Sequence, residues 1–262
     1  MSTLVGVPVK NGAFWLPKFL TDLEQLEDVS RIAFIYGESV DQTLLILQDY
    51  KKGTKHTVNI YKEPPLKNAH TAHQIGPLYE DFQELLQNGD ESHFLLLDCD
   101  ITSFPSDLIT RLKKHDKDII APYVWTHGHI PEKFFDIYCF RVDGCRFHPF
   151  DPPMSDEPIQ VESIGSCYLA KRAAFVITPY GNRPHISYCY KAREMGFTVW
   201  ADPTTKIYHL FVEQLGMSRQ FPEEVEGLSP DISPYIKNDG TKIPPDQMGP
   251  DIIYALIWKE VR

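Results

Sequence analysis

Two aspartates one residue apart, Asp98 and Asp100, close an unbroken apolar run, His93 to Leu97 (HFLLL). Such a run has the composition of a strand buried on both faces. In an open α/β sheet, ligands collect beyond the carboxyl ends of the strands. Carboxylates placed there can hold a divalent cation through hard oxygen ligands. A cation so held neutralises a diphosphate and stabilises it as a leaving group. Aspartates also cap loops after strands, so context has to decide. Far along the chain His209 sits near the end of a second strand-like segment, Lys206 to Leu210 (KIYHL). A lone histidine there is more often a satisfied surface or core residue than a ligand. Taken with the upstream Asp-Cys-Asp, its neutral imidazole can supply a third metal ligand.

The elements that must position these residues follow from periodicity. Thr3 to Val9, Arg31 to Tyr36, His56 to Tyr61, His93 to Leu97 and Asp118 to Tyr123 read as strands. Helical spacing covers Phe14 to Leu26, Gln42 to Tyr50, His70 to Gln87 and Ser106 to His115. Further on, Phe134 to Val142, Val161 to Lys171, Phe197 to Trp200 and Lys206 to Leu210 are strand-like, with a helix from Ile186 to Met195. This alternation predicts an α/β fold, a Rossmann-like and mostly parallel central sheet with helices on both faces. Residues 1–214 form the expected domain. Residues 215–262 form a C-terminal extension rich in proline, with a helix expected from Ile252 to Val261, and serve as a lid or a structural wrap.

The chain has 262 residues, 42% of them hydrophobic, and a formal net charge of −10. That charge argues against nucleic acid or an anionic membrane as a partner. No apolar stretch approaches the roughly 20 residues that span a bilayer, and the N-terminus lacks the layout of a signal peptide. A soluble, cytoplasmic protein is expected. Its five cysteines show no CxxC spacing, which predicts reduced thiols rather than a disulfide framework or a zinc site.

Several segments, in order, resemble the family 2-like GT-A glycosyltransferases. Val5 to Asn11 (VGVPVKN), with Trp15, Leu16, Phe19 and Leu20, is similar to their first strand and helix. Phe34 to Thr43 (FIYGESVDQT) resembles the second strand and its acidic turn, and His93 to Phe104 (HFLLLDCDITSF) the strand with the DxD motif. Val161 to Phe175 (VESIGSCYLAKRAAF) is similar to the acceptor-side segment. Tyr190 to His209 is similar to the closing helix, strand and histidine. The last two also resemble the mannan-polymerase type of mannosyltransferase.

The resemblance implies a GT-A fold and a transfer of a hexose from a UDP- or GDP-linked donor to a glycan or other hydroxyl acceptor. It implies Mn2+ or Mg2+ on Asp100 and His209, with Asp98 on the metal or on the donor ribose. It implies that Pro8, Val9, Tyr36 and Glu38 line the nucleotide pocket, that Lys67 and Asn68 contact the donor, and that Gly165 and Ser166 let the backbone approach the sugars. One departure matters. Where inverting members carry an acidic pair that supplies the general base, this chain has Pro184-His185. The base is then His185, or an acid from elsewhere (Glu162 first, then Asp156 or Glu157), or the enzyme retains configuration and needs no such base.

Two other readings stand beside this one. Leu95 to Thr102 (LLLDCDIT) also resembles the DxDxT signature of haloacid-dehalogenase-type phosphatases, with Asp98 as nucleophile. Their later acidic pair has no good counterpart; Asp239-Gly240 lies in the proline-rich tail. A non-catalytic sugar-nucleotide-binding domain on the same fold would equally lack the acidic pair.

Overall fold

The computed structural model describes residues 2–63, 75–126, 132–136, 139–180, 184–209, 235–236 and 242–243. The first half alternates strand and helix: β1 (Thr3–Val9), α1 (Leu16–Gln25), β2 (Val29–Tyr36), α2 (Thr43–Gly53), β3 (Val58–Lys62), α3 (Ile75–Gln87) and β4 (His93–Leu97). β5 (Ile101–Ser103), α4 (Leu108–Lys113) and β6 (Ile119–Thr126) follow. Short strands β7 (Arg141–Val142), β8 (Cys145–Phe147) and β9 (Ile159–Gln160) come next, then β10 (Cys167–Lys171), α5 (Arg172–Ile177), α6 (Pro184–Glu194) and β11 (Val199–His209). β12 (Tyr235–Ile236) and β13 (Lys242–Ile243) come from the C-terminal extension.

The main sheet has nine strands in the order β3-β2-β1-β4-β10-β6-β11-β5, with β9 paired to β11. β3, β2, β1 and β4 run parallel, as do β6 and β11. β10 lies antiparallel between β4 and β6, and β5 and β9 run antiparallel to β11. The sheet is therefore mixed and mostly parallel, as expected. Side chains alternate across it. On β4, Leu95 and Leu97 enter a core with α1, α2 and α4, whereas Phe94 and Leu96 enter a second core with α3, α5 and α6. Each fully buried Leu or Phe contributes roughly 1.5–3 kcal/mol. Gly6 on β1 faces the second core, where a methyl group would come within 2.5 Å of the Phe94 ring. That close approach accounts for the glycine.

A small second sheet has the order β13-β12-β8-β7, so the described part of the extension joins it by parallel pairing of Tyr235 with Arg146 and Ile236 with Phe147.

Three expectations are corrected. Phe134 to Val142 is not one strand: the Asp136 carbonyl accepts the Cys139 and Phe140 N–H groups, turning the chain before β7. The strand expected from Val161 begins only at Cys167, because Ile159–Gln160 pairs separately with β11. Conversely, Phe197 to Trp200 and Lys206 to Leu210 are largely one strand, β11, with a bulge between Asp202 and Lys206 that absorbs Pro203. The helix expected from Ile252, and Asp239-Gly240, lie outside the described residues. All five cysteines are free thiols. Among the described residues no helix is long and apolar enough to cross a membrane.

Candidate active site

The strand pairings bring Asp100 to His209. β5 begins directly after Asp100 and pairs antiparallel with the end of β11, Ile101 opposite His209. The Thr102 hydroxyl donates to the Tyr208 carbonyl at 3.1 Å and fastens this corner. As a result His209 Nε2 lies 3.1 Å from Asp100 Oδ1. The imidazole is buried and stacks on Phe135, with ring centroids 3.6 Å apart and planes 12° apart.

Alternation along β4 sends Asp98 to the aromatic face and Cys99 to the other, where the Trp15 indole N–H donates to its sulfur at 3.4 Å. Burial first, and then the negative charge of Asp100, push the Asp98 carboxyl well above the usual carboxylate range. His209 opposes this shift and Asp136 adds to it. The Asp98 N–H donates to the Ser166 carbonyl at 3.2 Å, extending the β4–β10 ladder by one bond.

Asp136 is the residue that sequence reasoning missed. It is 2% exposed and accepts the Ser166 N–H at 3.0 Å and the Ser166 hydroxyl at 2.9 Å. A methyl group on Gly165 would sit 2.8 Å from the Asp136 carboxyl carbon. An acid inside the aromatic run Phe134-Phe135-Asp136 was the available signal, since a buried charge in an apolar pattern needs dedicated partners.

The remaining predicted residues are spread around this centre. Val9 is buried in the core under α1, and its carbonyl accepts the Gly37 N–H at 2.8 Å. Pro8, beside it on β1, is half-buried. Tyr36 and the exposed Glu38 line an open cleft of about 610 Å³ at the ends of β2 and β3, together with Ser39, Lys51, Tyr61 and Lys62. Lys67 and Asn68 lie outside the described residues. Glu162 accepts the Gly144 N–H at 3.0 Å and interacts with Tyr190, whose hydroxyl pKa is raised by burial and then by the Glu162 charge. His185 begins α6 half-buried, with Nε2 3.3 Å from the Tyr79 hydroxyl. Asp156 and Glu157 are exposed.

The Asp100–His209 pair fits a divalent cation. Two neighbouring ligands with bonds of about 2.1 Å at a right angle sit ~3 Å apart, the separation seen here. Among the described residues no group of three His, Cys, Asp or Glu side chains is gathered for a metal. Asp98 stands beside the pair, with its charged form disfavoured by burial and by Asp100.

No protein-family model matches this sequence, and no curated protein matches it. In structure the chain is similar to S. aureus TarS 1-349, at 12% identity and a TM-score of 0.52, over 82% of this chain and 62% of that one. It is also similar to GalNAc-T7 solved with UDP, GalNAc and Mn2+, at 15% identity and a TM-score of 0.56, over 87% and 46%. A third similar structure is the mannosyltransferase PcManGT from Pyrobaculum calidifontis with GDP-Man and Mn2+, at 12% identity and a TM-score of 0.52, over 85% and 58%. The fold is GT-A. This chain spans less than two thirds of the length of each of these three proteins. On the GT-A fold, Asp100 and His209 stand at the carboxyl ends of β4 and β11, the edge where open α/β sheets bind ligands.

Proposed function

We propose that the protein is a glycosyltransferase that moves a hexose from a UDP- or GDP-linked donor to a glycan or other hydroxyl acceptor, with Mn2+ or Mg2+ at Asp100 and His209. The observation that carries this reading is the 3.1 Å contact between those two side chains on a GT-A fold. The cation, when bound, neutralises charge on the departing diphosphate. Asp100 and His209 would hold it, with Asp98 on the metal or on the donor ribose; Phe135 stacks on the imidazole, and Asp136 adds negative potential beside Asp98. Tyr36 and Glu38, in their cleft, are the residues we assign to the nucleotide.

Configuration is retained in this reading. Support comes from the engagement of the first two candidate bases, His185 with Tyr79 and Glu162 with Gly144. The departing phosphate can take the acceptor proton, leaving positioning and electrostatics to the protein. Residues 215–262 are read as a wrap rather than a lid, since β12 pairs with β8. Deleting them should give an insoluble protein; a soluble truncation with a raised donor KM would make the extension a lid.

Thermal unfolding with UDP and GDP, with and without manganese, tests the central reading. A nucleotide at a hundredfold its Kd should add about 2.7 kcal/mol in the wild type with manganese. Asp100→Ala and His209→Ala should each remove that gain and keep the fold. Full retention in both variants would sink the assignment. Absence of any donor hydrolysis with manganese would favour a binding domain. Proton NMR of the product anomer decides the stereochemistry: an inverted product, with near-total loss in Glu162→Gln or His185→Ala, would name a base instead.

A further inference from the structure

We propose that Asp136 is a positioning residue of this site: its carboxylate clamps the Gly165–Ser166 turn and, through that turn, sets the Asp98 end of β4. The nucleotide arm of the test below rests on the glycosyltransferase reading; the clamp itself does not.

The bonds form one continuous path. The Asp136 carboxylate accepts both Ser166 donors, at 3.0 and 2.9 Å, and the Ser166 carbonyl accepts the Asp98 N–H at 3.2 Å. Gly165 opens the space for this. Any Cβ there would lie within 3 Å of three carboxyl atoms of Asp136, so the glycine answers to the carboxylate against it. The carboxylate is also braced from its own side, because the Asp136 carbonyl takes the Cys139 and Phe140 N–H groups at 3.0 Å each.

A plug that only filled space would not be charged. Removing a carboxylate from water costs several kcal/mol, and an apolar side chain fills the same volume without that cost. What a charge adds is direction: two hydrogen bonds from one residue fix the turn, and charge-assisted bonds are about twice as strong as neutral ones. The same negative charge is felt at Asp98 and at Cys167. Asp136 therefore acts on the site twice, through the turn and through the field.

Two variants test the clamp, Asp136→Asn and Ser166→Ala. The first reading is hydrogen exchange of the Asp98 amide in the ligand-free protein, compared with the Leu95 amide three residues earlier. Asp136→Asn should speed exchange at Asp98 by about tenfold and leave Leu95 unchanged. Ser166→Ala, which loses only the hydroxyl donor, should move Asp98 in the same direction by less. The second reading is calorimetry of UDP and GDP. Manganese-dependent affinity should fall by roughly 10–100-fold in Asp136→Asn, as when the partners that orient a ligand are lost, while affinity in EDTA stays the same.

Unchanged exchange at Asp98 in a folded Asp136→Asn would overturn the proposal. So would an equal rise along all of β4, which marks general loosening. Should Asp136→Asn fail to fold, Ser166→Ala decides by the same readings. Wild-type protein that binds neither nucleotide with manganese would refute the glycosyltransferase reading and leave the exchange result to judge Asp136 alone.

Discussion

β4 carries a titratable side chain close to each end, and at both ends the surroundings disfavour its charged form. His93 opens the strand buried, its Nδ1 2.9 Å from the Ser92 hydroxyl; burial, then Lys113 and Lys171, push its pKa down to about 4. Asp98 follows the strand, and burial with Asp100 pushes its pKa the other way. The two ends obey one rule, burial plus a neighbour of like charge. They differ in remedy. A neutral imidazole with a hydroxyl partner needs nothing further. Asp98 has Asp100 and Asp136 as neighbours of like charge, and a bound metal would offset them. Like charges gathered at a strand end are thus a mark of a binding site, whereas a silenced charge at the opposite end is structural.

The largest effect that would sharpen this contrast is acid lability at the His93 end. Below the unfolded value near 6.5 the unfolded chain binds a proton that the folded protein refuses until about pH 4. Stability from this group is thus complete above pH 6.5 and falls as pH drops to 4, by on the order of 3 kcal/mol. Urea unfolding at several pH values in that window should show His93→Gln losing less stability than wild type. Parallel curves would remove His93 from the comparison.

At the other end the effect is smaller and of opposite sign. Asp98→Asn should stabilise the metal-free protein by about 0.5–2 kcal/mol, the usual range for relieving a site-linked strain, while weakening its response to manganese and nucleotide. A destabilised metal-free variant would break the contrast, because it would make Asp98 a structural acid. Smallest is Tyr79→Phe, which removes the hydroxyl 3.3 Å from His185 and should cost about 0.5–1.5 kcal/mol. Its manganese response should match wild type in the same thermal assay; a lost response would tie the tyrosine to the site.

What could be read from the chain divides along the same sheet. β1 and β4 match their expected bounds, because Leu and Val runs with helices between them carry a pattern that tertiary contacts only reinforce. Asp100 and His209 were legible together only through their order along the chain, and the β5–β11 pairing that joins them is too short to announce itself. The turn at Asp136 was not legible. Its aromatic neighbours imitate a strand, and the partner that makes the acid tolerable, Ser166, lies 30 residues away. The strand–helix pattern could not exclude the phosphatase alternative, which shares the Asp-x-Asp after an apolar strand; the similarity in structure gives it no support.

The bulge in β11 has a consequence for how this protein can change. Asp202 pairs with Pro122 and Lys206 with Tyr123, so residues 203–205 are passed over by the neighbouring strand, and the Thr204 hydroxyl and N–H hold the excursion on Asp202 at 2.6 and 3.0 Å. From Lys206 onward, inward and outward positions are counted from that excursion. Losing one residue there while the pairing upstream held would move His209 into the place of Tyr208 and turn the imidazole to the opposite side, away from Asp100. A single-codon deletion in this excursion would then part the imidazole from Asp100, whereas substitutions of the exposed Thr204 would leave the strand register as it is so long as Asp202 kept its backbone bond.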